Sequence, residues 1–138
     1  MLKNILFVAV GGSLGSIFRY LISVFIAKYW SGTFPMATFI TNILGCFLIG
    51  FIFGFLDKNN IYNPDVKLIL LTGFCGGFTT FSAFGYENYS LTYNQNYFVT
   101  ALYISGTIFL GILSVGLGLF MNKLVYYIVE KCIFADYE

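Results

Sequence analysis

The chain has 138 residues, 59% of them hydrophobic, 21% aromatic and only 9% charged, with a formal net charge of +1. A soluble domain carries about 25% charged residues, so this chain cannot cover a water-facing surface. The composition, with a mean hydropathy of +0.84, excludes a soluble enzyme and a disordered tail. The absence of a basic run excludes a nucleic-acid binder, which leaves an integral membrane protein.

The first apolar run covers about 5–26 and carries one charge, Arg19. Lys3 ahead of an apolar stretch invites a signal-peptide reading, but Arg19 and the lack of an A-x-A site argue against it. The second run covers about 35–56 and the fourth about 97–121, both without charge. The third, about 68–86, is rich in Gly and Thr. Each is close to the ~20 residues that cross a ~30 Å hydrocarbon core as a helix. The runs are too long for single strands and lack alternation. The expected fold is an all-α membrane protein, one domain over 1–138 with four transmembrane helices.

The expected connections are 28–34, 57–67 and 87–96, the last opening at Glu87, and they leave neighbouring helices antiparallel. In the tail, 122–138, Val125, Ile128, Val129 and Ile133 stand at helical spacing. It either extends the fourth helix or lies in the interface. Small residues at four-residue spacing, such as Gly11 with Gly15, Gly50 with Gly54 and Ser114 with Gly118, let helix backbones approach in lipid. Cys46, Cys75 and Cys132 are far apart and read as small packing residues, and there is no His.

The acids, Asp57, Asp65, Glu87, Glu130, Asp136 and Glu138, are expected at segment ends, in loops or in the tail, none deep in the bilayer. A proton-coupled exporter normally needs an intramembrane acid. The interior polar groups are donors instead: Thr38, Thr41 and Asn42, then Thr79, Thr80 and Ser82, then Tyr103, Ser105 and Thr107, with Arg19 on the first helix. Thr38 and Asn42 share a face, as do Tyr103, Thr107 and Gly111. Such stripes serve either interhelical hydrogen bonding or a polar path.

In the third segment, Gly76 and Gly77 followed by Thr79 and Thr80 predict a helix that breaks mid-membrane. A break survives there only where protein or a cavity supplies partners. It frees amides that favour an anion and carbonyls that can hold a small cation. Phe81 and Phe84 share a face, and ring edges carry partial positive charge. Composition and spacing reach a path for a small anion through a helical bundle, with packing as the competing account of each residue.

GGSLGSIFRY (11–20), TNILGCFLIG (41–50) and GFCGGFTTFSAF (73–84) resemble the CrcB/Fluc family of fluoride channels, over residues 4–121. The resemblance implies an antiparallel dimer with two pores that passively releases cytoplasmic fluoride, with a central sodium ion. It implies fluoride-pathway roles for Asn42, Phe81, Phe84, Thr80, Ser82, Tyr103, Thr107 and Arg19. It implies sodium binding by the carbonyls of Gly76 and Thr79, and it matches Glu87 to the acid that follows the third motif. Thr107 stands where a serine is usual and Ser16 where alanine is usual, both mild departures.

Lys3, Lys58, Lys67, Lys123 and Lys131 fall on one side against Lys28 and Arg19 on the other, which favours the first side in the cytoplasm. Dual insertion would want near balance. A weak bias that still permits both orientations, an oppositely oriented paralogue as partner, or shifted boundaries would each reconcile the two. The implied partners are fluoride, the lipid bilayer and a second copy or that paralogue; the implied location is the bacterial inner membrane. The competing functions are a small multidrug exporter, which normally uses an acid in the first helix, and a non-transporting assembly subunit. An enzyme lacks its Ser–His or paired-aspartate machinery.

Overall fold

The structure is a computed structural model that describes the backbone of residues 1–135 and the side chains of 1–128. The side chains of Val129, Glu130, Lys131, Cys132 and Ile133, and all of Asp136 and Glu138, lie outside the described residues. Apolar sequence becomes helix throughout: α1 (Leu2–Ala27), α2 (Met36–Lys58), α3 (Pro64–Lys67), a π-helix (Leu68–Cys75), α4 (Gly76–Phe78), α5 (Phe81–Tyr93) and α6 (Tyr97–Ala135). Four stretches are long and apolar enough to cross a membrane: Leu2–Ala27, Met36–Lys58, Pro64–Tyr93 and Tyr97–Ile128. The chain is thus an all-α bundle of four membrane-spanning helices, the third broken at Thr79 and Thr80.

Glycines set two close seams. A Cβ at Gly11 or Gly15 of α1 would overlap the carbonyl oxygen of Ile69 or Phe74 in the third span. A Cβ at Gly50 of α2 or Gly118 of α6 would overlap the carbonyl oxygen of Val115 or Phe47. Without Cβ atoms the backbones approach and gain packing in lipid, where no hydrophobic force drives helix association. Gly54, expected to pair with Gly50, makes only ordinary contact with Asn122 and Leu119.

The third span begins at Pro64, where Asn63 Oδ1 accepts from Asp65 N at 2.9 Å and caps the helix. Between that cap and the break the helix widens to π geometry over Leu68–Cys75. A widened turn of this kind is uncommon and marks local departure from α packing.

The span also ends later than expected. Glu87 was expected to open a loop, but it lies inside α5, which runs to Tyr93. The polar residues after it keep the helix because they bond backward: Asn88 Nδ2 to Phe84 O at 2.7 Å, Thr92 Oγ1 to Asn88 O at 2.8 Å and Asn94 Nδ2 to Ser90 O at 2.9 Å. The helix stops only where Gln95 turns to φ 60°. Glu87 therefore lies within a membrane-spanning helix and not in the loop expected of it. The tail continues α6 without a break to Ala135.

The start of α1, the end of α2, the start of the third span and the later part of α6 gather at one end of the bundle. Lys3 Nζ meets Asp65 Oδ2 there at 2.6 Å, and Lys58 Nζ lies 3.7 Å from the centre of the Tyr126 ring.

Candidate functional site

The site is built around the break. Thr79 (ψ 157°) and Thr80 (φ −145°, ψ 117°) are extended, a conformation that β-branched residues favour. Thr79 N and Thr79 Oγ1 both donate to Cys75 O at 3.0 Å, closing the first half-helix. Thr80 Oγ1 accepts from Ala83 N at 3.2 Å and starts the second. Ser82 Oγ lies 3.2 Å from the same hydroxyl.

Asn42 of α2 spans the gap. Thr80 N donates to its Oδ1 at 2.9 Å, and its Nδ2 donates to Thr80 O at 3.3 Å. One amide thus satisfies both backbone groups of a residue that has left its helix at membrane depth. An amide nitrogen has two hydrogens, and this bond takes one.

The same bonds free two carbonyls. In an unbroken helix, Thr80 N would bond Gly76 O and Ala83 N would bond Thr79 O. Here the first goes to Asn42 Oδ1 and the second to Thr80 Oγ1. Among the described residues no cluster of His, Cys, Asp or Glu could hold a metal. The carbonyl oxygens of Gly76 and Thr79 have the right chemistry for a hard cation, so the donor set fits sodium.

A cavity of about 370 Å³ opens beside the break, lined by Asn42, Cys46, Thr79, Thr80, Phe81, Phe84 and Thr107 with apolar residues of α6. It contains no charged residue. Among the described residues, the buried Thr107 Oγ1 has no hydrogen-bond partner. Phe81 is 84% exposed, and its ring centre lies 5.9 Å from that of Phe84. Phe84 in turn packs on Tyr103 at 5.0 Å.

Three expected pathway residues fall outside this lining. Ser82 is exposed and touches it only through Thr80. Tyr103 is fully buried behind Phe84. Arg19 lines a second cavity of about 270 Å³ with Ser16, Ser23, Thr38, Thr41 and Thr80. Its buried Nε has no partner among the described residues. Thr80 is the residue common to both cavities.

The sequence reading anticipated polar stripes at Thr38 and Tyr103 but missed what joins them. Thr38 Oγ1 donates to Glu87 Oε1 at 2.7 Å, and Tyr103 OH donates to Glu87 Oε2 at 2.7 Å. The signal was present: Glu87 follows Phe84 by one helical turn, so it shares the face that meets α6.

Known proteins match this chain closely. A family model described as CrcB-like protein, Camphor Resistance (CrcB), matches residues 6–119. The "Fluoride-specific ion channel FluC" of Flavobacterium psychrophilum is 49% identical over 122 residues, covering 88% of this chain and 98% of the relative. Proteins with the same description from Azobacteroides pseudotrichonymphae genomovar. CFP2 (43% identical; 89% and 98% covered) and Gloeothece citriformis (41%; 87% and 97%) are similar to it. Four long apolar helices and bacterial relatives make it a multi-pass protein of the bacterial inner membrane. With the three motifs, the broken third span and these matches in agreement, the chain belongs to the CrcB/FluC fluoride channel family.

Proposed function

We propose that the chain is a passive, fluoride-selective channel through which cytoplasmic fluoride leaves the cell, relieving its toxicity. The observation that carries this reading is Thr107: it lines a carboxylate-free cavity walled by Phe81, Phe84 and Asn42, and its buried hydroxyl has no partner among the described residues. Fluoride is small and tightly hydrated, so a path across lipid must replace its water with donors. The hydroxyls of Ser82 and Thr80, the second N–H of Asn42, the ring edges of Phe81 and Phe84 and the Thr107 hydroxyl form that series. Tyr103, held by Glu87, positions Phe84. Arg19 raises the local potential for an anion from the neighbouring cavity.

Phe81 is largely uncovered, which supports a pathway completed by a second chain. An antiparallel homodimer is the reading, with an oppositely oriented paralogue as the alternative partner; the homodimer requires dual insertion despite the lysine bias. Gly76 and Thr79 from two such chains would hold a structural sodium at the dimer centre. When bound, the ion neutralises carbonyl oxygens that would otherwise repel one another.

Fluoride-electrode recording of efflux from liposomes, with chloride as control and no pH gradient, tests the proposal. Rapid fluoride loss without chloride loss is expected. Vesicles no leakier than protein-free ones would reject the channel. Flux that needs a proton gradient would instead favour a multidrug-type exporter, a reading weakened by the engagement of both Glu87 oxygens.

A further inference from the structure

At the lysine-rich end of the bundle, a third cavity of about 410 Å³ opens between the end of α2 and α6, remote from the break. Its lining is ordered by depth. Phe53, Gly54 and Leu119 form the inner part, Asp57, Lys58, Asn122 and Lys123 stand one helical turn further along each helix, and Tyr127 of α6 lies a turn beyond Lys123. At 23 residues, α2 is long enough to cross the hydrocarbon core, so its terminal Lys58 reaches headgroup level. The cavity therefore has apolar walls at acyl-chain depth and two cations at phosphate depth. We propose that it is a headgroup site for an anionic phospholipid of the phosphatidylglycerol class. This inference does not depend on the fluoride reading.

Charge decides the class of lipid. Two lysines and one carboxylate leave the lining with a net +1, which a single phosphodiester neutralises. A zwitterionic lipid would leave that charge uncompensated. Among the described residues, the one ion pair joins Lys3 to Asp65, so neither Lys58 nor Lys123 is matched by a carboxylate. Lys58 Nζ is held over the Tyr126 ring at 3.7 Å, which fixes the ammonium across the gap while its N–H donors remain usable. Asp57 opposes the phosphate, but it can accept hydrogen bonds from the hydroxyls of a glycerol headgroup. Near a membrane surface each basic residue strengthens anionic-lipid binding by about fivefold.

Native mass spectrometry of the full chain, stripped of lipid in detergent, tests this with phosphatidylglycerol, phosphatidylethanolamine, phosphatidylcholine and inorganic phosphate as probes. Phosphatidylglycerol should be retained at least about fivefold better than either zwitterionic lipid. The double variant Lys58→Gln/Lys123→Gln should lose that preference, while Lys3→Gln/Lys67→Gln, outside the cavity, keeps it. Asp57→Asn should raise retention of phosphatidylglycerol, a gain that misfolding cannot mimic. Equal retention of all three lipids, or a double variant that still prefers phosphatidylglycerol, overturns the proposal. So does a preference for phosphatidylethanolamine that Asp57→Asn abolishes, or displacement of the lipid by millimolar inorganic phosphate.

Discussion

Two cavities flank Thr80, and they treat an anion differently. The one beside Phe81 and Phe84 has apolar walls and neutral donors, with the Thr107 hydroxyl unpartnered. The one beside Arg19 is walled by hydroxyls and holds a fixed cation with an unpartnered Nε. In a medium of low dielectric a full charge binds an anion strongly, whereas single neutral donors bind it weakly. Conduction needs binding weak enough to release. On the proposed function, passage belongs to the neutral cavity and attraction to the charged one, with Thr80 as their shared wall.

The comparison breaks most completely at Asn42, which holds the wall itself. We predict that Asn42→Asp loses the donor to Thr80 O, turns an accepting oxygen toward it and places an anion beside the path. That anion repels fluoride in a medium of low dielectric, so flux should fall by more than about 100-fold, a barrier increase of about 2.7 kcal/mol. Fluoride efflux from liposomes near the wild-type rate would remove Asn42 from both roles.

Next in size is the aromatic pair. Phe84→Ile and Phe81→Ile remove ring edges while keeping apolar bulk. We expect flux to fall about 10- to 100-fold, a loss of roughly 1.4–2.7 kcal/mol of barrier stabilisation. Size-exclusion profiles should hold, because isoleucine keeps apolar bulk at both positions. Undiminished efflux with either variant would reduce the rings to packing.

Thr107 sharpens the comparison further, because its two readings predict opposite signs for stability. Thr107→Val removes a hydroxyl at nearly constant shape. If the hydroxyl solvates the anion, flux drops about tenfold, the worth of one hydrogen bond of ~1.4 kcal/mol. Thermal stability should hold or rise, since a buried unsatisfied group is gone. A stability loss with unchanged flux would show that the hydroxyl serves packing.

Much of this arrangement was legible in the sequence because lipid leaves so few options. Uninterrupted apolar runs had to be helices, and Gly76, Gly77, Thr79 and Thr80 marked the break by intrinsic propensity. The far end of the third span was not legible. Polar residues from Glu87 to Asn94 look like a loop, yet their side chains bond back to the preceding turn and hold the helix. That misplacement hid the carboxylate shared by Thr38 and Tyr103. The role of Asn42 was half visible: its stripe could be read from spacing, but its bridge to Thr80 is a contact between residues 38 positions apart. The separation of Arg19 from the aromatic cavity is likewise a matter of packing, which no local pattern encodes.

The smallest expected effect is at Arg19, and it tests the charged half of the comparison alone. If Arg19 acts by potential and not by direct solvation, Arg19→Lys should nearly preserve flux, while Arg19→Gln should lower it about threefold at low ionic strength. The deficit of Arg19→Gln should shrink as salt rises, because a partly exposed charge is screened over roughly 8–10 Å near physiological ionic strength. Flux measured across a series of impermeant-salt concentrations reads this directly. A deficit independent of salt, or one as large with lysine as with glutamine, would mean that the guanidinium contacts the anion, and the two cavities would then form one path. On the proposed function, a cation held beside the path concentrates fluoride at the break without adding a deep well along the route, which is why a modest, screenable effect is the expected signature.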